Sequence, residues 1–126
     1  HDDKNNRAPA IIMESQELEL SERLTEAINA FCLEATRTSG SMLEKYIFSR
    51  VLIGLINEAM WAEKDGVANA EDIDTALKLG TNYPKGPFEW TEQIGMDHVQ
   101  ELLVSLNETV SDDRFSSPPY DPVSAT

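Results

Sequence analysis

Basic residues, cysteine and long apolar runs are all scarce in this 126-residue chain. Ten Lys and Arg stand against 23 Asp and Glu, for a formal net charge of −13. That balance repels phosphate backbones, and the few cations are scattered, so nucleic acid and anionic membrane surfaces are not expected partners. The single cysteine, Cys32, has no second thiol to pair with. The N-terminus lacks the basic start and apolar middle of a secretory leader, and a reducing cytoplasm is the expected setting. The chain opens on His1 instead of Met, which points to a tag residue or a piece of something longer. No apolar stretch approaches the roughly 20 residues that cross a bilayer. Val51 to Ile56 comes nearest, but Asn57, Glu58 and Glu63 follow it closely. The six glycines are spread singly, so the glycine-rich turn that a dinucleotide requires is missing and no cofactor is expected on this chain. One Cys and two His, one of them terminal, leave little but carboxylates as ligands, and no metal site is expected. Period-two alternation is missing as well, which argues against strands.

What is present describes an ordinary globule, 40% apolar and 26% charged, of a length that suits one domain. Residues 1–20 carry no sustained periodicity and form a loose leader. From Ser21 the apolar residues Leu24, Ala27, Ile28, Phe31, Cys32 and Ala35 recur at helical spacing, with Ser21 as cap and Leu20 as a hydrophobic staple. Thr38, Ser39 and Gly40 are expected to end this helix. Ser41 and Glu44 form a capping box that opens a long helix from Met42 to Asp65. Its apolar residues cover nearly the whole circumference, so neighbours are expected to surround it as the axle of the core. Gly66 supplies a left-handed terminator. Asn69 caps a third helix with Ile73, Ala76 and Leu77 as its buried stripe, closed by Gly80. The stretch Thr81 to Gly86 forbids regular structure and forms a rigid loop, while Pro87 can open a short helix at its first position. Asp97 is expected to cap the last helix, whose stripe is Val99, Leu102, Leu103 and Leu106. Beyond residue 108 a tail rich in Ser and Pro, 109–126, is expected to stay extended or disordered unless a partner organises it. The fold class is therefore all-α, about five helices around a long central apolar helix, with the helical domain at 21–108.

Chemistry-bearing residues are few. His98 reads as a surface residue beside its cap, and Cys32 as a small buried hydrophobe. Ser49, Arg50, Asn57 and Glu58 stand out because they interrupt the axle helix. An unpaired polar group in a core costs roughly 1 to 3 kcal/mol, so each should find a partner or line a cavity. Asn57 and Glu58 are expected to bond the loop that follows the third helix. Ser49 and Arg50 stand open between that role and a cavity.

The order of residues says more than their types. The run SRVLIGLINEAMWAEKDGVANAEDIDTALKLGTNYPKGPFEWTEQIG resembles the C-terminal helical domain of 3-hydroxyacyl-CoA dehydrogenases, including the 3-hydroxybutyryl-CoA enzymes. The likeness extends from Tyr46 to about Leu106. It rests on fixed offsets among Arg50, Asn57, Glu58, Ala59, Gly66, Val67, Ala68, Glu71, Asp72, Ile73, Asp74, Gly80, Asn82, Tyr83, Pro84, Gly86, Pro87 and Gly95. The resemblance implies a fold like the C-terminal domain of 6-phosphogluconate dehydrogenase. In that family a preceding Rossmann domain holds NAD and a His and Glu catalytic pair. The helical domain forms the dimer interface and closes over acyl-CoA, and the enzyme interconverts 3-hydroxyacyl-CoA and 3-ketoacyl-CoA. Carried onto this chain, the resemblance makes Ser49 and Arg50 candidate substrate-binding residues. It makes Asn57, Glu58, Asn82, Pro84, Gly86 and Pro87 structural ones. NAD then belongs to a domain outside this sequence, and the expected partners are acyl-CoA together with that domain, and a homodimer mate or a second helical copy.

One departure bears on catalysis. The family pattern before the Arg is Gly, aromatic, two apolar residues and a substrate-contacting Asn, and here KYIFSR puts Lys45 at the Gly and Ser49 at the Asn. A Ser hydroxyl is shorter and lacks the amide's paired donor and acceptor. Families of this kind also carry two helical copies in series, and a second copy need not keep that Asn. By itself the chain is expected to be inactive. Two other classes of function remain: a stand-alone helical assembly module without a catalytic parent, and a module that binds acyl-CoA without chemistry.

Overall fold

The computed structural model describes residues 20–109 and 115–119. The expected leader lies outside the described residues, except for Leu20. Five helices appear in chain order: α1 (Glu22–Glu34), α2 (Met42–Lys64), α3 (Ala70–Thr81), α4 (Pro87–Ile94) and α5 (Met96–Thr109). No strand occurs among the described residues. The all-α expectation holds.

Local capping explains where most helices begin. The Ser21 hydroxyl accepts from the Leu24 amide, and the Asn69 side chain accepts from Asp72. At α2 the capping box is complete, with Ser41 Oγ accepting from the Glu44 amide and Glu44 Oε1 from the Ser41 amide. Each such cap contributes roughly 1 kcal/mol. Helix α2 ends where expected: Gly66 takes φ +81°, and the Gly66 and Val67 amides donate to Glu63 and Ala62. This is the pairing that closes a helix through a left-handed residue.

Three boundaries differ from the sequence-based expectation. Helix α1 stops at Glu34, not at the Thr38 to Gly40 cluster, because Thr36 adopts φ 59° and its amide and that of Arg37 close the end onto Leu33 and Cys32. Gly80 lies inside α3, and Asn82 at φ 60°, ψ 30° is the left-handed terminator. Asp97 sits in the first turn of α5 instead of at its cap; the break before it is Gly95 at φ +100°.

The core lies between α1, α2 and α5, with Ile94 from α4 entering it. Leu24, Ile28, Phe31, Ile53, Ile56, Val99, Leu102 and Leu106 are essentially sealed from solvent, each contributing about 1.5 to 3 kcal/mol by burial. Helices α1 and α5 pack face to face. The ion pairs from Arg23 to Glu101 and Glu108 span their outer edge. Those residues are about half exposed, so the pairs add little stability.

Helix α2 is not the enclosed axle its composition predicts. Ser49, Leu52, Ile53, Ile56, Asn57, Ala59 and Met60 are buried, but Ile47 and Val51 are 52% and 67% exposed. One apolar side of α2 faces solvent. Helix α3 also departs from expectation, since Ile73 and Leu77 are only half-buried, Ala76 is exposed, and its one buried residue is Asp74.

Candidate functional site

The open side of α2 forms one wall of a groove of about 460 Å³, lined by Ile47, Phe48, Val51 and Leu55 and closed opposite by Tyr83, Pro84 and Trp90. The opposite wall is the turn between α3 and α4 together with the start of α4, and what holds it is Asp74. Its two carboxylate oxygens accept from the Phe88 amide at 2.8 Å and the Glu89 amide at 3.1 Å. Gly86, the residue before α4, has no side chain to cap those amides, so Asp74 caps α4 from another helix. A Cβ at Gly86 would collide with the Asp74 side chain, carboxyl and Cβ alike, which is why only glycine fits there. Glu89 completes the anchor by accepting from the Gly86 amide at 2.8 Å and pairing with Lys78 at 2.9 Å. The Gly86 amide and the Lys78 ammonium hold the Glu89 carboxyl below the usual carboxylate range.

The structure separates the four polar residues of the axle helix. Ser49 is wholly buried, and its hydroxyl donates to the Tyr46 carbonyl of its own helix at 3.0 Å. Arg50 turns outward beside it. One guanidinium nitrogen donates to the Tyr46 hydroxyl at 3.1 Å, and the group lies 5.7 Å from the Tyr46 ring centroid and 5.3 Å from that of Phe115. The guanidinium is thus held by rings, and it makes no ion pair among the described residues.

Asn57 does not bond the α3–α4 turn, contrary to expectation. Its amide donates at 3.1 Å to the Ser116 carbonyl, which also accepts from the Trp61 indole at 2.8 Å. Glu58 is exposed and bonds nothing in that turn. The cause is the segment Phe115 to Pro119, expected to stay loose, which instead lies on α2 as a short strap. Phe115 is only 4% exposed and belongs to the main core, Pro118 is buried, and Ser117 contacts Gln100 of α5. Asn82 ends α3, Pro84 lines the groove, and Pro87 opens α4 at its first position.

The family model for the C-terminal domain of 3-hydroxyacyl-CoA dehydrogenase matches residues 46–123. The chain belongs to this family. The matched span of the 3-hydroxyacyl-CoA dehydrogenase C-terminal domain therefore takes in α2 from Tyr46 onward, the groove, Asp74 and the strap, and leaves α1 and the first turn of α2 outside. Among curated proteins, the chain is 34% identical over 96 residues to a 3-hydroxybutyryl-CoA dehydrogenase of Clostridioides difficile, covering 76% of this chain and 32% of that one. It is 42% identical over 66 residues to a 3-hydroxyadipyl-CoA dehydrogenase of Escherichia coli, 52% of this chain and 14% of the relative. It is 34% identical over 90 residues to a mitochondrial hydroxyacyl-coenzyme A dehydrogenase of Mus musculus, 70% and 29%. The chain spans about a third or less of the length of these relatives.

Outside the matched span, on α1, Cys32 is a buried thiol whose sulfur lies 3.7 Å from the Lys45 carbonyl, and burial pushes its pKa up. A thiol so placed is a poor nucleophile. His98 is half-buried beside Arg23, Glu26 and Glu101 at the seam of α1 and α5. Among the described residues no three His, Cys, Asp or Glu converge on a point, and no helix is long and apolar enough to cross a membrane. Asp74 appears among the residues that carry the resemblance, but nothing local marks it as the cap of a helix 13 residues further on. The strap left only a weaker trace, the isolated Phe115 in a polar tail.

Proposed function

We propose that this chain is the C-terminal, substrate-closing and dimerisation domain of an NAD-dependent dehydrogenase that interconverts 3-hydroxyacyl-CoA and 3-ketoacyl-CoA. The observation that carries this reading is the family match over residues 46–123, which covers both walls of the groove. NAD does not fit the described residues, which hold helices and no strand leading into a glycine-rich turn. The hydride step is accordingly assigned to a Rossmann domain outside this chain. Here the groove offers an apolar face for that domain or for a second helical copy, and Arg50 is the one candidate substrate contact that reaches solvent.

The test is reconstitution. The 126-residue chain with NADH and acetoacetyl-CoA should give no turnover. Joined to the dinucleotide-binding part of the Clostridioides difficile relative, it should oxidise NADH when that ketone is present. Turnover by the chain alone, or none by the joined protein once it folds, overturns the reading.

A second reading concerns which copy this is. The burial of Ser49, with its hydroxyl committed to the Tyr46 carbonyl, favours a copy that packs beside a catalytic one. In the complete protein Ser49→Ala should leave kcat within about twofold, well under the loss of about a hundredfold that follows removal of a transition-state hydrogen bond. A loss on that larger scale would place Ser49 at the substrate.

A further inference from the structure

A second hollow, of about 380 Å³, opens next to the groove and is lined by Arg50, Val51, Gly54, Glu58 and Phe115. Its floor is Gly54. Residues 50, 54 and 58 follow one another at steps of four along a single face of α2, so the missing side chain leaves a notch between the Arg50 guanidinium and the Glu58 carboxylate. Nothing in the packing requires that glycine. A Cβ built on it meets no atom within 4 Å, and its φ is ordinary for a helix. Glycine within a helix is destabilising relative to alanine, so the open space is kept against the helix's own preference.

The cation beside this space is unusually well fixed. The Tyr46 and Phe115 rings both hold the guanidinium, and among the described residues one of its five N–H donors is used, by the Tyr46 hydroxyl. The remaining donors of a planar, preorganised fork match the oxygens of phosphate or carboxylate. Phe115 belongs to the strap, so the Ser116 carbonyl, held by Asn57 and Trp61, fixes the ring that holds Arg50.

We propose that Arg50, Gly54 and Phe115 form an oxyanion-binding notch on the open side of α2, taking the phosphate or carboxylate group of a small ligand. The notch stands on geometry alone, and it rests on the dehydrogenase reading only when the oxyanion is assigned to an acyl-CoA. Glu58 at the far end opposes the ligand and sets a low affinity.

Calorimetry on the 126-residue chain with inorganic pyrophosphate, acetoacetate and acetoacetyl-CoA tests this. Arg50→Gln should weaken binding of the oxyanion by about tenfold or more, the equivalent of a lost charge-assisted hydrogen bond. Gly54→Leu should do the same by filling the notch, while its melting temperature stays at or above that of the parent. Glu58→Gln should tighten binding about threefold, as removal of a surface like charge does. Pyrophosphate or acetoacetate bound with this pattern, but no acetoacetyl-CoA, keeps the notch and removes the acyl-CoA assignment. Absence of heat with all three at millimolar concentration overturns the proposal, as does a Gly54→Leu protein that binds like the parent.

Discussion

Thr36 and Asp74 show how single residues set this fold in opposite ways. Thr36 is a β-branched residue at φ 59°, ending α1 where glycine or asparagine would fit without strain. Thr36→Gly should therefore raise stability by about 1 kcal/mol, the steric penalty removed less the added chain entropy. Urea denaturation measures it, and a loss of stability would mean that the Thr36 hydroxyl, 2.6 Å from the Ala35 carbonyl, matters more than the strain. Asp74 is the reverse case, a polar residue made necessary by its partners. Asp74→Ala leaves the Phe88 and Glu89 amides without their acceptor, and about 2 kcal/mol of destabilisation is expected. Asp74→Asn should recover part of it.

At the scale of the element, the helices whose ends rest on contacts three or four residues apart are legible from sequence. Ser41 with Glu44 and Asn69 with Asp72 are of this kind, while Pro87 marks the head of α4 by its own fixed φ. The end of α1 is not legible, because Thr36 takes a conformation against its own preference and only the closed chain imposes it. The apolar circumference of α2 does predict burial pressure, but periodicity cannot distinguish a neighbour in the same chain from a face left open. The α4 cap joins residues 14 and 15 positions apart, and the strap joins Asn57 to a residue 59 positions away. No local pattern encodes either contact. The anchor of α4 also carries a pH dependence. The folded state holds the Glu89 carboxyl below its ordinary value, so the unfolded chain binds more protons in the acid range. Its contribution is full above the ordinary value of about 4.3 and is lost as pH falls through the lower folded value. Glu89→Gln should flatten that part of the acid unfolding profile, as circular dichroism at stepped pH would show; an unchanged slope would assign the acid sensitivity to other carboxylates.

At the scale of the whole molecule, the open groove and the charge pull in different directions. Ile47, Val51 and Tyr83 leave an apolar surface that water disfavours, while each copy carries a formal net charge of −13 that keeps copies apart. If the groove is where a second helical copy packs, association should strengthen with salt, because the Debye length shrinks from about 30 Å at 0.01 M to about 10 Å at 0.1 M while apolar contact is undiminished. Sedimentation at those two salt concentrations measures this. Val51→Lys supplies the control: at 67% exposure it should leave the melting temperature nearly unchanged and abolish the salt-promoted dimer. A dimer that weakens with salt, or one that survives Val51→Lys, would place the interface on another face of the molecule and leave the groove to a different partner.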